Sequence, residues 1–225
     1  MKWILPLALA AFLVAGGSWL ISGQGTQAPS ATAQSYALPG AAMAQSSDAA
    51  EVVEMVVGNA DAPVEVIEYS SFTCPHCARF HNDGVYDQVK ENYIDTGKVS
   101  WTYREVYFDK YGMWASLVAR CAGPDRFHGI VDLLYAGQSE WARAGSDAAI
   151  ANELRKIGRL AGMGSDQIEA CLTDGAHLRA LVEWYQANAE EHGIRSTPSF
   201  VIDGRTYSNM SYAEFAEILD RRIGG

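Results

Sequence analysis

"VIEYSSFTCPHCARF", residues 66–80, decides how the chain is read. Val66 and Ile67 are β-branched, and Tyr69 and Phe72 are aromatic, so "APVEVIEYSSF" (62–72) reads as a strand. Two cysteines follow at once, Cys74 and Cys77, with Pro75 and His76 between them. Behind them Phe80, Val85, Val89 and Tyr93 recur at near-helical spacing, with Gly84 as an interruption. "KVSWTYREV" (98–106) alternates Val99, Trp101 and Tyr103 with polar residues and reads as a second strand. Strand, cysteine loop, helix and strand make a βαβ unit.

Working outward, the stretch from about 109 to 193 is helical and broken at Gly123-Pro124, "SEWARAGS" and "GMGS". Ile150, Leu154, Ile157 and Leu160 mark one helical face, with Ser146 ahead of it, and Ser165 is a candidate cap for the next helix. "TPSFVIDGRTYS" is a hairpin turning at Asp203-Gly204. In the last helix Ser211 and Glu214 form a capping box, and Arg221 and Arg222 sit at its negative end. The order βαβ, helices, ββα predicts an α/β fold: a small sheet domain over residues 51–225 with an inserted helical domain at about 109–193. Nothing repeats internally.

Residues 1–23 carry Lys2 and then a long uncharged apolar run, expected as an export signal or an N-terminal membrane anchor; both readings stay open. Residues 24–50, rich in Ala, Ser, Gln and Gly, read as a flexible linker. The single N-terminal lysine predicts that the rest of the chain lies outside the cytoplasm, where disulfides persist. A net charge of −10 without a basic run argues against nucleic acid and against an anionic membrane surface as partners.

A thiolate is the reactive form of cysteine. Cys74, between a strand and a helix, faces the unpaired N–H groups and partial positive charge of a helix start. Pro75 suits the first helical turn because its missing N–H is not needed there. His76 adds a donor or a charge. These features predict a lowered pKa for an exposed Cys74 and a higher one for a more buried Cys77, the asymmetry that thiol–disulfide exchange needs. A metal site would want more ligands, and only His81 is near.

The segment resembles the active site of the DsbA family of thioredoxin-fold thiol:disulfide oxidoreductases, from about residue 51 to the C-terminus. The resemblance implies a thioredoxin-like fold, Cys74 as the attacked sulfur, and Pro198 as a cis proline facing the pair; Pro198 alone reads as an ordinary trans proline. A cis bond there would expose the backbone of Thr197 to a substrate strand. The resemblance also implies an acid, Glu68, beneath the buried cysteine to assist proton transfer, with Glu65 on the exposed face.

Two features depart from the best-known members. Cys121 and Cys171 form a second pair, as in some proteobacterial relatives; in an oxidising compartment they are expected to be bonded to each other, either as a structural disulfide or as one that tunes the active site, with two free thiols as the alternative. Thr197 stands where many strong oxidants of the family have valine, and resembles the loop of disulfide isomerases. The expected function is an exported, monomeric protein dithiol oxidase that needs no cofactor. It passes the Cys74–Cys77 disulfide to reduced exported proteins and is reoxidised by a DsbB-like membrane protein. A periplasmic reductase or isomerase is the nearest alternative. A membrane-tethered Cu(I) metallochaperone using Cys74, Cys77 and His81 is one of another class. His128, His177 and His192 are expected at the surface. Trp114, Trp141 and Trp184, and the aromatic stretch 103–116, are expected in the core or lining a substrate groove.

Overall fold

The computed structural model describes residues 52–225, so the expected signal or anchor (1–23) and linker (24–50) lie outside the described residues. The sheet has five strands: β1 (Met55–Gly58), β2 (Val64–Ser70), β3 (Val99–Glu105), β4 (Ser199–Ile202) and β5 (Arg205–Ser208), in the order β1-β3-β2-β4-β5. β2 and β3 run parallel, while β1–β3, β2–β4 and β4–β5 are antiparallel. β1 is short and lies at the edge, and its sequence carries no alternation of its own.

The parallel pair needs a crossover, supplied by α1 (Pro75–Asn82) and α2 (Val85–Val89), which runs on into a π-helical turn, Lys90–Ile94. Gly84 separates the two helices with φ of +82°, a conformation that costs glycine nothing. α1 lies on the sheet through Phe80, whose ring packs against Trp101 of β3, Phe200 of β4 and Phe215. Phe215 belongs to the C-terminal helix, numbered α9 below. That cluster fixes where the N-terminus of α1, and therefore Cys74, points.

Between β3 and β4 lie α3 (Lys110–Cys121), α4 (Pro124–Ala136), α5 (Gln138–Trp141), α6 (Asp147–Leu160), α7 (Ser165–Leu172) and α8 (Gly175–Glu191); α9 (Tyr212–Ile223) closes the described chain. Helices α3, α4 and α6 enclose a core of Ala115, Val118, Phe127, Ile130, Leu134, Trp141, Ile150 and Leu154. Ser146 caps α6 through the N–H of Ala149, and the Ser211–Glu214 capping box is formed. The hairpin turns on Asp203 and Gly204, both at positive φ as a type I′ turn requires.

Several sequence expectations are corrected. Leu160 ends the α6 face but is 74 % exposed, because the helix stops there and α7 packs over Ile157 and Gly158 of the same turn without reaching it. Ser165 is the first residue of α7 and does not cap it; Gly164 holds the cap position. None of His128, His177 and His192 is fully exposed. Tyr69 and His192 are bonded, with 2.6 Å between the phenol oxygen and Nδ1. Burial lowers the pKa of His128 to about 4. Trp141 is core, whereas Trp114 and Trp184 are half-buried. In the aromatic stretch Tyr103 and Tyr107 are buried, and Phe108 is 61 % exposed.

Candidate active site

The face of β2 that carries Val64 and Val66 continues through Glu68 to Ser70, turning polar as the strand approaches the cysteines. All four residues are fully buried. Cys74 follows as the N-cap of α1, in extended conformation, with Pro75 at the first helical position. Its own N–H bonds the carbonyl of Ser71 at 3.0 Å, and its carbonyl accepts from Ala78 at 3.1 Å.

The helical insert braces this loop from two sides. Gln138 Nε2 donates to the carbonyls of both Phe72 and Cys74, each at 2.9 Å. The Thr73 hydroxyl donates to Asp109 Oδ2 at 2.7 Å, while Asp109 Oδ1 accepts the N–H groups of Tyr111 and Gly112 and so caps α3. The loop is therefore held by neighbours on other elements as well as by its own turn.

Cys74 and Cys77 are both free thiols. Cys77 is wholly buried, and Cys74 is only 8 % exposed, more covered than its place at a helix start predicts. The two sulfurs are driven apart in acidity. The pKa of Cys74 is lowered to about 5, first by a hydrogen bond from Cys77, then by Thr197 and by the backbone N–H groups of Cys77 and His76, all against the opposing effect of burial. Burial, then the neighbouring Cys74, push Cys77 far above the ordinary thiol range, while Ser70 and Thr197 hold it down. The Ser71 N–H also points at Cys77 Sγ, 3.5 Å away.

The remaining expected residues fall as follows. The Thr197–Pro198 peptide is cis, and the Thr197 carbonyl accepts from Cys74 Sγ at 3.5 Å. Thr197 Oγ1 is buried and has no hydrogen-bond partner among the described residues, and the Thr197 side chain lowers the pKa of both sulfurs. The imidazole of His76 is exposed and lies 2.7 Å from Arg79 Nη2; only its backbone N–H acts on Cys74. Both oxygens of Glu68 are engaged, Oε1 with His81 Nε2 at 2.8 Å and Oε2 with Trp101 Nε1 at 3.2 Å. His81, weighed above only as a soft-metal ligand, is thus the partner of a buried carboxylate; its place one turn after Cys77, beside Phe80 on the buried side of α1, was the signal for it. Cys121 and Cys171, from α3 and α7, form a disulfide with their Cα atoms 6.1 Å apart.

A parallel βαβ start, an antiparallel ββα end and a cysteine pair at the first helix define the thioredoxin class, and the chain belongs to the thioredoxin family, whose model matches residues 50–221. Within that class the helical insert gives the chain the DsbA form of the fold. The crystal structure of Wolbachia pipientis alpha-DsbA1 superposes with a TM-score of 0.69 at 24 % identity, over 76 % of this chain and 91 % of that one. A Rickettsia bellii protein that bears the name protein-disulfide oxidoreductase is 31 % identical over 175 residues, 76 % of this chain and 64 % of its own. Disulfide bond formation protein D of Bacillus subtilis is 25 % identical over 181 residues, 76 % and 77 % of the two chains. The chain thus spans somewhat under two thirds of the length of the rickettsial relatives it matches.

Proposed function

We propose that this chain is a thiol:disulfide oxidoreductase that acts outside the cytoplasm as a protein dithiol oxidase. The observation that carries it is the placement of the two sulfurs, Cys74 at the N-terminus of α1 against the cis Thr197–Pro198 loop and Cys77 wholly buried one turn behind, which drives Cys74 toward the thiolate and Cys77 toward the thiol. A stabilised Cys74 thiolate stabilises the reduced protein, so its disulfide draws electrons from substrates. A substrate thiolate attacks Cys74 of the Cys74–Cys77 disulfide; that bond breaks and its electron pair leaves on Cys77. The substrate's second thiol then attacks its own sulfur in the mixed disulfide and expels Cys74 as thiolate. The proton lost by that second thiol is balanced by the one Cys77 ends with. The substrate departs oxidised, and the two electrons stay on the cysteines.

In this reading Pro75 and the helix start aim the Cys74 sulfur, and the Thr197 loop beside Pro198 offers backbone to the substrate. Glu68 acts as a buried negative charge held by His81 and Trp101. His76 acts through its N–H, with its ring at the docking surface. The substrates are reduced exported proteins, and a DsbB-like membrane protein reoxidises the pair; export itself rests on the apolar sequence of residues 1–23. The Thr197 hydroxyl against the sulfurs favours one second reading, a reductase or isomerase, since a donor placed there alters the balance between dithiol and disulfide.

The test mixes the oxidised protein with a reduced two-cysteine substrate protein. The substrate is expected to gain its disulfide, Cys74→Ser to abolish the transfer, and Cys77→Ser to trap a mixed disulfide at Cys74 when offered an oxidised substrate. Transfer that survives Cys74→Ser would overturn the reading.

A further inference from the structure

The exchange described above places a negative charge on Cys77 Sγ, a fully buried atom, at the moment the Cys74–Cys77 bond breaks. Something must solvate that charge, because an unpaired ion in the core is costly. Glu68 does not supply a donor, since both its oxygens are committed to His81 and Trp101. Three buried hydroxyl side chains near Cys77 come instead from three different elements: Ser70 ends β2, while Tyr103 of β3 and Tyr135 of α4 in the insert share the core cluster of Cys77.

These three are buried and joined in series. The Tyr135 hydroxyl donates to Ser70 Oγ at 2.9 Å, and the oxygens of Tyr103 and Tyr135 are 2.6 Å apart. Because the Tyr135 hydrogen is used on Ser70, Tyr103 must donate to Tyr135. Because Ser70 Oγ already accepts from Tyr135, its own hydrogen is free for another acceptor; the acceptor at hand is Cys77 Sγ, which lies 3.5 Å from the N–H of the next residue, Ser71, and whose pKa Ser70 lowers. The Tyr103 and Tyr135 O–H bonds therefore run in one direction, toward Ser70, and leave the Ser70 hydrogen for the sulfur. Burial raises both phenols well above their ordinary range, with the Glu68 carboxylate adding to it, so each keeps its hydrogen at any working pH.

We propose that Ser70, Tyr135 and Tyr103 form a hydroxyl chain that stabilises Cys77 as the leaving thiolate, with Ser70 touching the sulfur and the two tyrosines positioning and polarising it. This inference rests on the exchange reading of the cysteine pair. No proton has to pass along the chain: each hydroxyl keeps its hydrogen, and hydrogen bonds in series strengthen one another. The helical insert, through Tyr135, thereby takes part in the chemistry of a cysteine held by the sheet domain.

The experiment measures the rate at which dithiothreitol reduces the oxidised protein, for the wild type, Ser70→Ala, Tyr135→Phe and the double variant. Alkylation of reduced Cys74 by iodoacetamide is measured alongside, because it reports on that thiolate without requiring Cys77 to leave. Loss of a hydrogen bond to a charged group predicts reduction about ten-fold slower in Ser70→Ala, and loss of the hydroxyl that positions and polarises Ser70 predicts about five-fold in Tyr135→Phe. The double variant is expected to be no slower than Ser70→Ala, since Tyr135 acts only through Ser70, and alkylation to change less than about two-fold. Tyr103→Phe, at the far end, is expected to slow reduction by about three-fold and keeps the idea testable should Ser70→Ala not fold. Reduction at wild-type rate in Tyr135→Phe and Tyr103→Phe, or effects that multiply in the double variant, would overturn the hydroxyl chain while leaving the exchange reading intact. A wild-type disulfide that does not exchange through Cys74 would overturn both.

Discussion

Cys77 sits wholly buried one turn behind Cys74, and its thiol, more than any charged side chain, lowers the pKa of Cys74. The thiolate of reduced Cys74, followed by its ultraviolet absorbance or alkylation rate, is expected to titrate with a midpoint near the value of about 5 given by its surroundings. Cys77→Ala removes the donor and is expected to raise the midpoint substantially. His76→Ala is expected to move it less, because only the backbone N–H of His76 acts on the sulfur. A larger shift in His76→Ala than in Cys77→Ala would contradict this ordering.

The same shift ties stability to redox state and pH. The folded pKa of Cys74 lies below that of the unfolded thiol, so the reduced protein gains stability that is fully present above the unfolded pKa and is lost as pH falls through about 5. Cys77 stays protonated folded or unfolded below about pH 8, so it does not cancel the gain there. At pH 7 the contribution is on the order of 3 kcal/mol. Denaturant melts of the reduced and oxidised forms are expected to show the reduced form gaining over the oxidised form from pH 5 to pH 7. A difference independent of pH across that range would count against the thiolate.

Gln138 holds the active loop by two carbonyls, and Gln138→Ala leaves both without that donor. A loss of about 1–2 kcal/mol in unfolding free energy is expected, with slower exchange at Cys74. Unchanged stability together with unchanged exchange would mean that the insert does not brace the loop.

Arg120 and Glu105 form a buried ion pair, with the guanidinium also donating to the Val53 carbonyl. Arg120→Met strands a buried carboxylate and is expected to cost about 3–5 kcal/mol, of which Glu105→Gln in the same chain should recover part. A cost below about 1 kcal/mol would show that water or a rearranged side chain reaches Glu105.

Replacing Cys121 and Cys171 together by serine opens a link between residues 50 apart in sequence. In the chain-entropy model the cost is about 4 kcal/mol, to be read from denaturant midpoints with the active-site pair held in one redox state.

The fold was legible because its decisive parts are local. A β-branched strand running into Cys-Pro-His-Cys, the Asp203-Gly204 turn and the Ser211–Glu214 box each state their own conformation. What the sequence left unsaid depends on contacts between distant residues. β1 is a four-residue edge strand that pairs only through β3. Leu160 has the spacing of a core residue, but no element arrives to cover it. At the site, the motif names Cys74 and Cys77 by itself, and the Val64-Val66-Glu68-Ser70 periodicity puts an acid and a hydroxyl on the buried face. That His81 would take the carboxylate, that Tyr135 would reach Ser70 from the insert, and that the His76 ring would turn to Arg79 are facts of tertiary packing, which no spacing rule encodes.

The central claim is that the Cys74–Cys77 disulfide is a strong acceptor of electrons. It is tested most directly by the reduction potential of that pair, measured by equilibration with glutathione and thiol tagging in the protein with Cys121 and Cys171 left bonded. The account predicts a potential well above about −270 mV, the thioredoxin value. A potential at or below that value would contradict it and would make the chain a reductase.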